Sequence, residues 1–271
     1  MNNFVVSIAT LIAYFGSAML IGLRLFSHVP EGRTAGLRGA TLGLAYAGLT
    51  LHTWLIYMAI FGQDGFNLAF FNALSLAAWT VVAALLLSSL TKPIETLGLV
   101  ILPLAAITVL LEMVYPSVSF MGENTSWNLK LHVLLSMLAY SLLTLASVQA
   151  VLLWIQDHAL RQRRAGGFIR TLPPLMTMEA LMFEMIGVGF ILLTLALASG
   201  FAFLDNMFEQ HLVHKTVLSV LAWLVFGSLL LGRRLWGWRG RKAINWTLSG
   251  FGILILAYFG TKLVLELILH R

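Results

Sequence analysis

"ALMFEMIGVGFILLTLALASGFAFL", residues 180–204, decides the fold class. It is longer than the roughly 20 apolar residues an α-helix needs to cross a hydrocarbon core. Its single charge is Glu184, near the beginning. Apolar and polar side chains do not alternate, so it does not read as a strand of a membrane barrel. Lipid offers no partner to a backbone N–H or C=O, and a helix satisfies both within the segment.

Working outward, seven more stretches meet the same length criterion: roughly 4–26, 39–61, 67–90, 95–115, 129–155, 213–232 and 244–267. The 271 residues are 59% hydrophobic and 10% charged, where soluble domains carry roughly 25% charge. The expected fold is an all-α, polytopic transmembrane helix bundle of about eight spans. No linker, repeat or low-complexity tract divides it, so 1–271 reads as a single transmembrane domain. The opening "MNNFVVSIATLIAYFGSAML" has no basic n-region and no small-residue cleavage site, and reads as a first span.

Orientation follows from lysine and arginine, which collect on the cytoplasmic side of short loops. The connections after spans one, three, five and seven hold Arg24, Arg33, Arg38, Lys92, Arg161, Arg163, Arg164, Arg170, Arg233, Arg234, Arg239, Arg241 and Lys242. The other side holds Lys130, Lys215, Lys262 and Arg271. Both termini are therefore expected on the non-cytoplasmic side. Reporter fusions after Arg164 and Arg241 should read cytoplasmic, and fusions after Asp64, Glu123 and Asp205 external. External signals at both basic loops would reverse the orientation.

Composition also excludes functions. Cysteine is absent, which rules out disulfides, thiol redox chemistry, Cys-ligated iron–sulfur clusters and a covalent haem attachment motif. The net charge of +6 comes from residues flanking apolar segments, so the partner is the lipid bilayer and not nucleic acid. No nucleophile–base constellation for a hydrolase and no phosphate-cradling glycine loop appears; an enzyme reading is left only as a b-type electron carrier using quinone, behind the non-enzymatic ones.

Seven histidines remain. His28 and His158 stand among cytoplasmic arginines and read as solvated loop residues. The other five fall on the outer half: His52 in "LTLHTWLIY", His132 in "NLKLHVLLSMLAY", His211 and His214 at the mouth of span seven, and His270. A titratable side chain inside a span is costly and marks a functional site by default; the alternative for His52 is a neutral imidazole bonding a neighbouring helix. Imidazoles on different helices suit the two faces of a haem, whereas His211 and His214 share one helix face. Lys215 can pair with a haem propionate or a lipid phosphate, or snorkel at the interface. Depth places His214 and Lys215 on the floor of an outward pocket walled by His52 and His132, with His211 at the rim; spacing gives depth but not azimuth. Glu112, one turn before the outer end of span four, reads as an interfacial carboxylate facing water, with a proton relay or a pairing with Lys130 as the alternatives.

Three stretches carry a family resemblance: "MEALMFEMIGVGFILLTLALASG" (178–200), "HKTVLSVLAW" (214–223) and "GWRGRKAINWTLSGFGILILAYFG" (237–260). They resemble the C-terminal half of the cytochrome c assembly family, which includes CcsA- and CcmC-type haem-handling proteins. "SWNLKLHVLLSMLAYSLLTLASVQAVLLWIQ" (126–156) fits an inner-membrane branch of that family. The resemblance implies a multi-pass protein of the bacterial inner membrane with haem b as cofactor. It implies His52 and His132 as iron ligands, and other membrane or cytochrome assembly proteins as partners; His214 and Lys215 are placed beside that haem by the depth reading above and not by the resemblance. The family's haem-presenting loop, of form WGxxWxWDPKE, would fall just before Lys215. This chain has "SGFAFLDNMFEQHLVHK" (199–215) there, without tryptophan. The expectation is a haem-binding or haem-handling protein related to cytochrome c assembly but without that loop. The alternative is a non-haem membrane scaffold or transport accessory that kept the fold.

Overall fold

The computed structural model describes residues 3–26, 31–61, 66–67, 69–92, 94–116, 120–121, 127–163, 172–203 and 210–257. The described residues form eight α-helices and one two-stranded ladder. The helices group into two compact units.

The first unit holds α1 (Asn3–Phe26), α2 (Glu31–Ile56), α3 (Phe70–Ser89) and α4 (Gly98–Val114). A π-helical turn, Tyr57–Phe61, prolongs α2, and a 3-10 turn, Glu95–Leu97, leads into α4. Between α2 and α3 lies β1 (Phe66–Asn67), which pairs antiparallel with β2 (Phe120–Met121) after α4. Helix α1 packs on α2 and α4, and α3 on α2 and α4, so the four helices close a ring. Val6, Leu55 and Val109 fill part of its interior, with Leu11 and Leu51 against them. At the end where α1 stops and α4 starts, Glu95 joins three helices: it accepts from Arg24 Nη1 at 3.3 Å and from Arg38 Nε at 2.6 Å.

The second unit holds α5 (Trp127–Arg161), α6 (Leu175–Phe203), α7 (Gln210–Trp236) and α8 (Arg241–Ile255). Here α5 packs on α6 and α8, and α7 on α6 and α8, closing another ring. The α7–α8 turn needs two residues with positive φ, Gly237 (63°) and Gly240 (57°), a region that glycine enters without a Cβ clash. Glu179 on α6 accepts the Gly240 N–H at 3.0 Å. Its carboxylate therefore serves the N-terminus of α8, where the helix dipole favours negative charge.

Among the described residues seven helices are long and apolar enough to cross a membrane: α1 to α7, with α2 and α4 counted together with their adjoining turns. The described part of the eighth predicted span is α8 with Leu256 and Ala257; the remainder lies outside the described residues. Large apolar side chains such as Ile12, Phe15, Met19, Leu134, Ile191 and Leu224 point outward. That surface is what lipid requires and water does not tolerate. The all-α transmembrane bundle expected from the sequence is the fold observed.

Helix ends depart from the apolar spans in one instructive place. The span estimate for α5 stops at 155, yet the helix runs to Arg161. Asp157 holds that last turn together: its carboxylate takes Arg161 Nε at 2.9 Å, one turn along, and Arg241 Nε from α8 at 3.2 Å. The hydropathy signal ends at the membrane surface, and the helix does not.

Candidate functional site

His52 stands four residues before the end of α2 and is fully buried. Its Nδ1 is 3.2 Å from the Tyr14 hydroxyl on α1, and its Nε2 is 2.9 Å from the Ser75 hydroxyl on α3. The Tyr14 ring meets the imidazole edge-on, with centroids 5.8 Å apart. Helices α1, α2 and α3 thus each give one polar side chain to a single interior cluster. The Glu112 carboxyl of α4 lies near Ser75. The Glu112 Oε2 atom is sealed from solvent and has no hydrogen-bond partner among the described residues. The sequence reading of Glu112 as a water-facing carboxylate holds in part: the side chain is half-buried, and one of its two carboxyl oxygens turns inward.

Tyr14 reaches His52 because of a glycine. A Cβ at Gly48, one turn before His52 on α2, would stand 2.6 Å from the Tyr14 ring. Without that Cβ the ring packs closely on α2 at Gly48, and its hydroxyl arrives beside the imidazole.

His132 stands in the first turns of α5, half-buried. Its Nδ1 is 2.9 Å from the Ala196 carbonyl and 3.0 Å from the Ser199 hydroxyl, both on α6. A carbonyl only accepts, so Nδ1 carries the proton and Nε2 keeps its lone pair. Deeper along α6, Thr194 accepts from the Trp223 indole N–H of α7 at 2.8 Å, and Phe190 stacks on the same indole at 5.5 Å. The mid-span tryptophan is thus a packing residue with its one donor satisfied.

The remaining predicted site residues fall as follows. Lys215 is half-buried in the second turn of α7. The side chains of His211 and His214, the whole of His28 and the whole of His270 lie outside the described residues. His158 is exposed on the last turns of α5, stacked on Trp154 at 5.8 Å and 2.8 Å from Gln162 Nε2. His52 belongs to the first unit, and His132 and Lys215 to the second. Among the described residues no three His, Asp or Glu side chains gather as a metal site would need.

The two intramembrane histidines differ in what they can offer a haem iron. His132 has its tautomer fixed by a backbone carbonyl, as metal-bound histidines do, and its Nε2 has no partner among the described residues. His52 has both nitrogens in hydrogen bonds, so iron there would displace Ser75 or Tyr14.

Over residues 43–269 the sequence matches the family described as Cytochrome C assembly protein. The chain belongs to this family. It is 30% identical to the inner membrane protein YpjD of Escherichia coli (strain K12), covering 97% of this chain and 99% of that one. It is 31% identical to a 28.8 kDa protein of Azospirillum brasilense, over 99% of both chains. To the cytochrome c biogenesis protein CcsA of Microcystis aeruginosa it is 24% identical, over 97% of this chain and 93% of that protein. No solved structure matches.

Sequence reading missed Tyr14 and Ser75. Both were visible as polar groups inside apolar stretches, "LIAYFG" and "ALSLAAW". A lone tyrosine or serine in a span is common, and nothing in the sequence says that two of them meet one histidine.

Proposed function

We propose that this chain is a haem-handling protein of the bacterial inner membrane, acting in cytochrome c assembly as one membrane domain built of two helical units. The family carries the general role. The seven spans and a relative named as an inner membrane protein support the location.

The observation that carries haem binding is the His132 imidazole, with Nδ1 on the Ala196 carbonyl and Nε2 left as a ligand. Haem b needs no cysteine, in keeping with a chain that has none. Bound at His132, it would bring a redox-active iron. This chain's residues would orient the ligand through Ala196 and Ser199, exclude water with the flanking apolar helix faces, and offer Lys215 as a cation for a propionate. His214 is proposed beside Lys215 on the same turn. His52 enters this reading as a structural imidazole and not as the second ligand, because both its nitrogens are occupied. Partners are the bilayer, haem and other proteins of cytochrome assembly.

The test is the absorbance spectrum of detergent-purified protein, before and after titration with haem. A Soret band that saturates at a fixed ratio is expected. A second reading, a scaffold that kept the fold without haem, draws support from the stretch before Lys215, where no tryptophan stands. A preparation that is folded, haem-free and inert to added haem would select that second reading.

A further inference from the structure

We propose that the α7–α8 turn is a binding site for an anionic phospholipid, with Arg234 and Arg239 on the phosphate and the exposed face of α7 along an acyl chain. The proposal does not depend on haem.

The turn runs through "GRRLWGWRGRK" (232–242), which holds five cations and two tryptophans. The span of α7 ends at Trp236, so the turn lies at a membrane surface. Its backbone is fixed. Gly237 closes α7 in the left-handed region, its N–H donating to the Arg233 carbonyl at 3.1 Å. The Trp238 N–H donates to the Gly232 carbonyl at 3.2 Å, which folds the chain back on α7. The Trp238 ring then packs on Gly232, where a Cβ would overlap it. Trp236 stacks on that ring at 5.8 Å between centroids, and Trp246 of α8 meets it at 5.1 Å. Reversing the chain requires the glycines but none of these rings.

Carboxylates compensate little of the charge. Arg241 is bound to Asp157 at 3.2 Å. Glu179 is engaged by the Gly240 N–H. Arg233 lies over the Phe183 ring at 3.7 Å, and Lys242 Nζ over the Trp238 ring at 3.6 Å, so aromatic faces hold both. Arg234 and Arg239 are exposed, and among the described residues neither forms an ion pair.

What covers this charge must also cover hydrocarbon. Leu231, Leu235 and Trp236, on the last turns of α7, are 58%, 64% and 68% exposed. Leu231 and Leu235 are four residues apart and share a face, and Arg234, three residues from Leu231, stands at the head of it. An apolar stripe that ends in guanidinium groups matches a molecule with an acyl chain below a negative headgroup. Free phosphate or an acidic soluble protein would leave the leucines bare, and a zwitterionic lipid brings its own cation to the phosphate. Guanidinium is also the planar donor that phosphate oxygens fit two bonds at a time.

Native mass spectrometry of the detergent-purified protein tests this, with dioleoylphosphatidylglycerol and dioleoylphosphatidylcholine titrated in parallel. One phosphatidylglycerol per chain is expected to be retained at concentrations where phosphatidylcholine is not. Arg234→Gln combined with Arg239→Gln should weaken that retention roughly thirtyfold, from about fivefold for each cation beside an anionic lipid. Arg161→Gln combined with Arg163→Gln removes the same charge from the end of α5 and should change it by less than about twofold, as expected of exposed charges away from the site. Circular dichroism serves as the folding control for both. Excess inorganic phosphate should not displace the lipid. The proposal is overturned by equal retention of the two lipids, by equal losses in the two double variants, or by displacement of the lipid by inorganic phosphate.

Discussion

Purified protein carrying His132→Ala is expected to lose its Soret band, while His52→Ala keeps the band position per mole of folded protein and melts at a lower temperature. The difference follows from the ring nitrogens. His132 spends Nδ1 on the Ala196 carbonyl and the Ser199 hydroxyl and leaves Nε2 to a metal. His52 spends both nitrogens on Tyr14 and Ser75. Removing His132 therefore removes a ligand, whereas removing His52 leaves the Tyr14 and Ser75 hydroxyls without their shared partner and opens a hole in the first ring. Ser199→Ala should weaken haem uptake by about tenfold, the low end for groups that orient a metal ligand, because the Ala196 carbonyl still holds Nδ1. Haem titration followed by absorbance, with circular dichroism as the folding control, separates these outcomes. An equal loss of the band in both histidine variants would place iron on His52 as well.

Gly48→Ala is expected to destabilise the protein by about 1–3 kcal/mol, the usual cost of forcing extra volume into a packed core. The added Cβ would meet the Tyr14 ring at 2.6 Å. That ring cannot step aside, since it is fully buried and its hydroxyl is bound to His52. Gly43→Ala on the same helix is the control. A Cβ there has nothing within 4 Å, and alanine is the better helix former by up to about 1 kcal/mol. Thermal unfolding in detergent should show a large fall for the first variant and no fall for the second. Equal melting temperatures would mean that α1 and α2 are less tightly apposed than the structure shows. Gly48→Ala should also shift the His52 nitrogen resonances, since the displaced phenol leaves Nδ1.

Seven of the eight expected spans are long and apolar enough among the described residues, and they were readable because the membrane imposes a length on each apolar run that is written along the chain. Where the apolar rule ceased to apply, the sequence reading stopped short, as at the end of α5. There Asp157 gathers Arg161 from one turn away and Arg241 from another helix, and only the second contact needs tertiary structure. His132 shows the same boundary for function. Its depth followed from its place at the start of a span, and a histidine at that depth was a fair candidate ligand. Which nitrogen remained open depended on a carbonyl from α6, 64 positions away in sequence.

The inward turn of one Glu112 oxygen was not legible in the sequence, for a single physical reason. Residue count fixes how far along a helix a side chain lies, but its direction depends on which neighbours the helix meets. One turn from the outer end, the same carboxyl can face water or the interior of a ring, and composition is identical in both cases. The sequence by itself determined an all-helical membrane protein and the order of its spans, because hydrophobic length and the cost of burying charge act on each segment alone. The tertiary structure alone decided that Tyr14, His52 and Ser75 form one cluster, while His132 stands on another ring with Nδ1 bound and no partner for Nε2 among the described residues. Azimuth is settled only when helices pack, where the absence of a Cβ at Gly48 lets one ring close on another.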